Sequence, residues 1–209
     1  MAALGLIGVA VIYVWPLFSQ RRMERVARSF VRAVFEGDGK TFCELILPRD
    51  QAALELTPEK CQRLLDEVVL PKFRGCKVVG WDEPHADYRS GFGHTTVNLV
   101  CDGKATNFGV NVGWVTGVGG TVSWNNFLKL LWDWDYHRRY GRLSSGYLES
   151  CVDGVRQDLD RLERTGIKGW VSIKGHAISW REWLADAERR LAKEREARSG
   201  QPTIQKVSP

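Results

Sequence analysis

An alternating stretch from His94 to Trp124 constrains the fold of this chain more than any other part of the sequence. It reads HTTVNLVCDGKATNFGVNVGWVTGVGGTVSW, with apolar and polar residues in turn and glycine-rich interruptions. A period of two is typical of antiparallel strands that bury one face and expose the other. The Asp102-Gly103 pair favours a two-residue hairpin between two of these strands. The stretch therefore predicts an antiparallel meander whose apolar face must be covered by other elements.

Three helices are predicted before the meander, and each offers an apolar side to the sheet. In the first, apolar residues recur at helical spacing between Met23 and Val34, and arginines occupy the opposite side. A short second helix is expected around Thr41 to Leu47, stopped by Pro48. The third starts at Thr57-Pro58, where the threonine is the N-cap and the proline takes the first helical position.

One strand is predicted before the meander, and its last strand leads into a short helix. Cys76 to Trp81 is apolar apart from a single lysine, which indicates a strand. The polar segment from Asp82 to Gly93 predicts a loop or an irregular hairpin connection, because it contains a proline and two glycines. A fourth strand is expected to begin in Thr121 to Trp124, and Phe127 to Trp132 favours a short helix.

The carboxyl-terminal part predicts two more helices separated by a small hairpin. Apolar residues from Leu148 to Leu162 repeat at helical spacing. The segment from Ile167 to Ile178 predicts a hairpin with Ile173 packed beneath it. A serine and a glutamate at capping-box spacing start the last helix at Ser179, and this helix is expected to run to about Ala197.

The amino-terminal segment from Ala2 to Phe18 predicts a membrane anchor. It contains no charged residue, and at ~1.5 Å rise per residue it can cross a thin hydrocarbon core. It lacks the basic start and the small-residue cleavage site of a signal peptide. We therefore expect residues 2–18 to contact membrane lipid as a single-pass helix. Arginines follow from Arg21 to Arg32, which predicts a cytoplasmic body, with an extracytoplasmic body as the alternative.

The basic balance of the chain is modest, with a net charge of +5. An excess of this size suits an anionic membrane surface as well as it suits nucleic acid. No recognised nucleic-acid-binding module is visible in the sequence, so nucleic acid is not expected as a partner.

Five cysteines, at positions 43, 61, 76, 101 and 151, are too widely spaced for a Cys-x-x-Cys pair. A structural zinc site is therefore not indicated. The odd number and the spacing favour buried thiols in a reducing compartment. A disulfide between Cys76 and Cys101 is the alternative, if the strands that carry them prove to be neighbours.

The helix ARSFVRAVFEGDGKTF, the capped segment TPEKCQRLLDEVV and the meander together resemble the NTF2-like (cystatin-like α+β, SnoaL-type) superfamily. The resemblance covers approximately residues 23–124. It implies a curved sheet that wraps around a long helix and leaves a conical pocket. The superfamily includes isomerases, dehydratases, ligand-binding modules and membrane-anchored assembly domains. Its enzymes place an acid or a His–Asp pair inside the pocket, and no such pair is evident at the inward strand positions of this chain.

The expected fold class is therefore α+β, with amino-terminal helices packed on a curved antiparallel sheet. The expected organisation has four parts. Residues 1–20 form the transmembrane anchor, 21–138 form the NTF2-like domain, 139–198 form a helical extension with a small hairpin, and 199–209 form a disordered tail.

The densest group of polar, chemically capable side chains lies between the first and second predicted strands. Carboxylates and imidazoles of this kind serve as acids, bases or metal ligands. The candidates for catalysis are Asp82, His85, Asp87 and His94. Their spacing matches no metal motif, so neither a metal nor another cofactor is expected. A solvated loop is the competing interpretation.

Aromatic residues are the candidates for ligand binding, because tryptophans near the meander can line a pocket for an apolar molecule. They are Trp81, Trp114, Trp124 and Trp132. Ordinary core packing is the competing interpretation. The preferred function is a non-catalytic, membrane-anchored module that binds a protein partner or a small apolar ligand, with a homo-oligomer as a further expectation. The alternative is a small-molecule isomerase or dehydratase that uses the acid and histidine residues at the sheet edge.

Overall fold

The computed structural model describes residues 21–83, 85–87, 92–115 and 118–199. The described chain is an α+β fold in which helices cover one face of an antiparallel sheet, which confirms the expected class. Among the helices of the described residues, none has both the length and the apolar character needed to cross a membrane. The predicted anchor at residues 2–18 and most of the predicted tail at residues 199–209 lie outside the described residues.

In the described residues, four helices and a continuation of the fourth precede the sheet, where three helices were expected. α1 covers the described residues 21–36, α2 is Gly39–Leu45, α3 is Pro48–Leu54 and α4 is Pro58–Leu64. The side of α1 that faces the core carries Met23, Ala27, Phe30, Val31 and Val34, all buried, as the spacing predicts. The second predicted helix ends before Pro48, as expected, and Leu47, which precedes the proline, is extended. Pro48 then opens α3, because a helix makes no use of the amide of its first residue and loses nothing where proline lacks it.

The third predicted helix is confirmed, and further helical turns follow it directly. The Thr57 hydroxyl accepts a hydrogen bond from the Lys60 amide at 3.3 Å and so caps α4. A π-helical turn, Leu65–Val69, follows without a break, and a last turn, α5, is Leu70–Lys72. This continuation carries Lys72 towards the carboxyl-terminal helices.

Within the described residues, the sheet has five strands. β1 is Cys76–Trp81, β2 is His85–Asp87, β3 is Phe92–Cys101, β4 is Lys104–Val115 and β5 is Val118–Val122. The order is β1-β3-β4-β5, and β2 pairs with β3 beyond the end of β1. The segment that the sequence indicated as a loop or irregular connection therefore contains a short strand. The buried face carries Thr95, Val97, Leu99, Phe108, Val110 and Val112, in agreement with the alternation.

The Asp102-Gly103 turn is confirmed, and both residues adopt positive φ angles, 51° and 79°. Such angles at both central positions are those of the hairpin turn that Asp-Gly favours. Cys101, just before this turn, is disulfide-bonded to Cys76 on β1. The expectation of five thiols was wrong for these two residues, because β1 and β3 are neighbours that place them opposite each other.

The three remaining cysteines are buried thiols, as the sequence predicts. Burial raises the pKa of the Cys151 thiol to about 12, and it also raises the pKa values of Cys43 and Cys61. A thiolate is the reactive form of cysteine, so these side chains act as apolar core residues.

The carboxyl-terminal half contains three long helices and a two-stranded hairpin. α6 is Trp124–Tyr140, α7 is Tyr147–Arg164, β6 is Gly169–Val171, β7 is Ala177–Ser179 and α8 is Trp180–Ser199. The predicted capping box is confirmed, since the Glu182 amide donates to the Ser179 hydroxyl at 3.3 Å and the Ser179 amide donates to the Glu182 carboxylate at 3.2 Å. Two details were wrong. Trp124 begins a helix and does not lie in a strand, and Ile173 is 99% exposed at the hairpin tip.

Trp124 begins a helix because its amide donates a hydrogen bond to a carboxylate that is distant in the sequence. Asp50 of α3 is 1% exposed and accepts a hydrogen bond from the Trp124 amide at 3.0 Å. A carboxylate in this place satisfies a free amide of the first helical turn and interacts favourably with the helix dipole. The helix start is therefore set by a tertiary contact.

One continuous hydrophobic core runs through both halves of the described chain. It extends from Phe30 on α1 through Phe108 on β4 to Leu162 on α7. Trp132 of α6 lies against Gly154 of α7, where a Cβ atom would come within 2.2 Å of the indole ring. The expected boundary at residue 138 stays a prediction.

Candidate functional site

The face of the sheet that points away from the core is polar. His94, Thr96 and Asn98 alternate along β3, and Asn107 and Asn111 alternate along β4. His94 is the Cα partner of Asn111, and Asn98 is the Cα partner of Asn107. The polar side chains of the two strands therefore lie beside one another on one surface.

His94 is held in a fixed orientation on this face. Its Nδ1 atom lies 2.7 Å from Asn111 Oδ1, and its Nε2 atom lies 3.2 Å from the Thr96 hydroxyl. Since an amide oxygen can only accept, the first contact places a proton on Nδ1, and in the neutral ring Nε2 is then the acceptor for the Thr96 hydroxyl. The ring lies over Gly109, where a Cβ atom would be 2.7 Å from its Cε1 atom. Glycine therefore makes room for the imidazole.

The other predicted catalytic residues lie along the edge of the same face. Asp82 Oδ1 accepts from Asn98 Nδ2 at 2.8 Å, and His85 is exposed opposite His94 in the β2–β3 register. The side chain of Asp87 lies outside the described residues. Asp82 thus forms its hydrogen bond with an asparagine and not with an imidazole. Within the described ranges, no group of three histidine, cysteine or acidic side chains could hold a metal ion.

His94 also lines a groove between the sheet and α6, which we call the β4–α6 groove. Its volume is about 440 Å³, within the usual range of ~300–1,000 Å³ for ligand sites. Two strands and a helix supply its walls. The lining residues are His94, Thr96, Ala105, Thr106, Asn107, Gly109, Leu130, Asp133, Trp134, His137 and Leu143.

The strand wall of this groove includes the first half of β4, along the edge that faces away from β3. β5 pairs with β4 only from Val112 onwards, so among the described strands none pairs with this edge between Lys104 and Gly109. Cys101 and Lys104 close a two-residue hairpin, and hydrogen-bonded pairs then alternate with non-bonded pairs along β3 and β4. Ala105, Asn107 and Gly109 consequently direct their backbone N–H and C=O groups away from β3. We call these three residues the β4 half-edge.

The helix wall comes from the side of α6 that lies next to the β4 edge. Asp133 is half-buried there and accepts a hydrogen bond from the Ser144 hydroxyl at 2.6 Å. Trp134 Nε1 donates to the Thr106 hydroxyl at 3.2 Å, which holds α6 against β4. Leu143 lies at the end of the groove and is 73% exposed. The groove thus joins unpaired backbone groups, polar side chains and exposed apolar surface.

The predicted aromatic residues do not converge on one surface. Trp124 and Trp132 are fully buried, and their rings pack against those of Trp180 and Trp170. Both belong to the core, as the competing interpretation held. The side chain of Trp114 lies outside the described residues. Trp81 is partly exposed, and the Arg28 guanidinium lies 5.3 Å from the centre of its ring.

Trp81 lines a second groove, between α1 and β1, with a volume of about 280 Å³. Its floor is apolar and its rim carries charged side chains of α1. The lining residues are Arg28, Val31, Arg32, Phe35, Glu36, Val78 and Trp81. Arg28, on this rim, already forms an ion pair with Glu24.

Sequence reasoning identified His94 but missed the groove beside it. The β4 half-edge depends on where β5 stops and on where α6 lies, and neither is a local property of the sequence. One signal was available: Gly109 interrupts the outward row of β4, which is typical of a position where another group approaches the backbone closely.

Comparisons of this chain with protein-family models, with curated proteins and with solved structures find no match.

Proposed function

We propose that this protein is a non-catalytic binding module of the NTF2-like kind, which holds an extended segment of a partner protein in the β4–α6 groove. The observation that carries the proposal is the β4 half-edge, whose backbone groups point into a groove walled by α6. Addition of a strand to an open sheet edge is a common mode of peptide recognition. Main-chain hydrogen bonds supply affinity in this mode, and flanking pockets supply specificity.

The side chains of the groove suit such a segment better than they suit a small apolar molecule. His94, Thr96 and Asn107 offer donors and acceptors on one side, and Leu130 and Leu143 offer apolar contact. A wholly apolar ligand would bury the Asn107 side chain and the outward backbone groups of the β4 half-edge without partners, at a cost of roughly 1–3 kcal/mol for each. A peptide satisfies them with its own backbone and side chains.

We further propose that the body lies in an oxidising compartment and is held at the membrane by residues 2–18. The disulfide between Cys76 and Cys101 supports this side of the membrane, because such bonds persist in extracytoplasmic compartments and are rare in the cytosol. The basic residues after the predicted span favour the opposite side, but that rule is statistical. Acid quenching and alkylation of whole cells would show whether the pair is oxidised in place.

The proposal can be tested by selecting binders from a displayed library of random extended peptides on the full chain in detergent. We expect selected peptides to lose at least roughly tenfold in affinity for Asn107→Pro. Proline there removes an amide that points into the groove and leaves the β3–β4 hydrogen bonds intact.

A matched control is Val78→Pro, which places proline on the opposite edge of the sheet. Circular dichroism would confirm that both variants fold. Equal loss of affinity in both variants, or unchanged affinity in Asn107→Pro, would contradict peptide binding at the β4 half-edge.

The second candidate is a small-molecule isomerase or dehydratase, and one observation favours it. His94, Asp133 and His137 line the same groove, and the Nε2 atom of a neutral His94 ring, 3.2 Å from the Thr96 hydroxyl, can accept a proton. An activity found by substrate screening that disappears in His94→Ala and survives in His85→Ala would favour this candidate.

A further inference from the structure

The outer edge of β1, on the side away from β3, is the second open edge of the sheet. Among the described strands, β1 pairs with β3 alone, and β2 follows along the same edge. The disulfide from Cys76 to Cys101 fixes β1 to β3. β1 is therefore firmly joined to β3, and its other side can pair with an added strand.

Val78 and Trp81 each turn both of their backbone groups to that side, and Cys76 turns only its carbonyl there, since its amide donates to the Phe73 carbonyl. The Asp102 amide donates to the Gly75 carbonyl, and the Asp82 amide donates to the Thr96 carbonyl, at 3.1 and 3.0 Å. From each of these two hydrogen bonds inwards along β1, residues that are hydrogen-bonded to β3 alternate with residues that are not. The alternation makes Val78 and Trp81 the residues whose N–H and C=O groups turn away from β3. A β-bulge lies between Val78 and Gly80 and lengthens the spacing between them.

Apolar side chains are exposed at the middle of this edge. Val78 is 41% exposed, and Val79, in the bulge, is 62% exposed. An exposed strand edge with valines is prone to pair with another strand, and most proteins guard such edges. Among the described residues, the bulge and Lys77 interrupt this edge, and charged side chains of α1 lie beside it across the groove that Val78 and Trp81 line.

The charges along the edge are arranged with opposite signs at its two ends. Arg74 and Lys77 flank the valines on one side, and Asp82 and Glu83 flank them on the other. All four residues are exposed. An identical strand placed antiparallel brings the basic end of each copy beside the acidic end of the other. A parallel strand would bring like charges together, which is unfavourable.

We propose that a second copy of this chain pairs with β1 in an antiparallel manner, so that two sheets join across a two-fold axis near Val79. An interface of this kind is isologous, because each copy contributes the same residues. The lysine and the bulge then act as specificity devices. In the dimer, Lys77 lies beside the carboxylates of Asp82 and Glu83 of the second copy, and the bulges of the two β1 strands lie opposite each other. An unrelated strand would offer neither carboxylates at the position of Lys77 nor a matching bulge.

This dimer is independent of peptide binding at the β4 half-edge, because β1 and the free half of β4 lie at opposite edges of the sheet. The two proposals can therefore fail separately. The pairing leaves the β4–α6 groove open in both copies.

The proposal is tested by cysteine cross-linking of the full chain in its membrane or in detergent. Val79→Cys is expected to give a disulfide-linked species of twice the chain mass under mild oxidation. Ile173→Cys is the matched control, because it is 99% exposed but far from the proposed axis along the chain, at the tip of the β6–β7 hairpin. Equal cross-linking of both variants, or none at Val79→Cys, would overturn the proposal.

Charge variants give a second measurement that does not depend on the new cysteine. We expect Lys77→Glu to raise the dimer dissociation constant by roughly tenfold in sedimentation equilibrium, because it places like charges together. The double variant Lys77→Glu/Glu83→Lys is expected to recover part of this loss. A monomeric parent chain, or no recovery in the double variant, would contradict the antiparallel pairing.

Discussion

Lys72 Nζ lies 2.7 Å from Asp158 Oδ2, so the end of α5 is tied to the middle of α7 by an almost fully buried ion pair. Asp135 of α6 lies 3.1 Å from the same ammonium group. The side chains of all three residues are at most 9% exposed. One lysine therefore holds together the helices that precede the sheet and those that follow it.

Loss of this lysine should be costly. Lys72→Met leaves two buried carboxylates without their shared cation, and removal of one partner from such a pair destabilises a protein by roughly 3–5 kcal/mol. We expect a loss of about 3 kcal/mol in the free energy of unfolding, at the low end of that range, because Arg139 still pairs with Asp135 and Arg161 lies 3.5 Å from Asp158. Urea unfolding followed by circular dichroism measures it.

The control for this variant is Arg156→Met, which breaks an exposed pair with Glu188. Exposed pairs contribute roughly 0–1 kcal/mol, so the midpoint of unfolding should hardly move. Similar losses of unfolding free energy in the two variants would show that the buried ion pairs of Lys72 stabilise the fold no more than an exposed pair does.

The disulfide should be visible chemically and should stabilise the sheet. Five cysteines and one disulfide leave three thiols. We expect three reactive thiols in denaturant without reductant and five after reduction. Since the bond closes a loop of 25 residues, Cys76→Ser/Cys101→Ser should lower the free energy of unfolding by roughly 3 kcal/mol. Five thiols before reduction would show that the bond does not form.

Glu149 should make the fold sensitive to acid. The Ser145 hydroxyl and the Ser145 amide donate to its carboxylate at 2.6 and 2.8 Å, and these hydrogen bonds lower its pKa from 4.5 to about 2. Because the folded pKa is depressed, the stabilisation is complete above about pH 4.5 and is lost as the pH falls towards 2.

The measurement is the effect of Glu149→Gln on unfolding across this range of pH. We expect a loss of about 1–2 kcal/mol at pH 7, a figure reduced to allow for solvent screening, that shrinks towards pH 2. Glu44→Gln, on the exposed side of α2, is the control. An effect of Glu149→Gln that stays constant with pH would contradict the assignment of the lowered pKa.

The sequence predicts those parts of the fold that depend on local patterns. The alternation and the Asp102-Gly103 turn predict the meander, and Thr57-Pro58 predicts the start of α4. The start of α6 could not be predicted, because the carboxylate that receives the Trp124 amide comes from Asp50 on α3. The role of Lys72 is hidden for the same reason, since its partners lie far along the chain.

The candidate site divides in the same way. His94 was recognisable by residue type, but its orientation depends on Asn111 and Thr96 across and along the strands. Whether an edge is open depends on which strands pair with it, so the β4 half-edge was invisible in the sequence. The tryptophans were misleading, because aromatic residues serve equally well in a core and in a pocket.

The most direct test of peptide binding is amide hydrogen exchange, followed by NMR, of the full chain with and without a selected peptide. We predict that the amides of Ala105, Asn107 and Gly109 exchange at least roughly tenfold more slowly in the complex, because each then donates to the added strand. The amides of Val78 and Trp81, at the opposite edge, should keep their rates. Protection at β1 without protection at the β4 half-edge would contradict the proposed function.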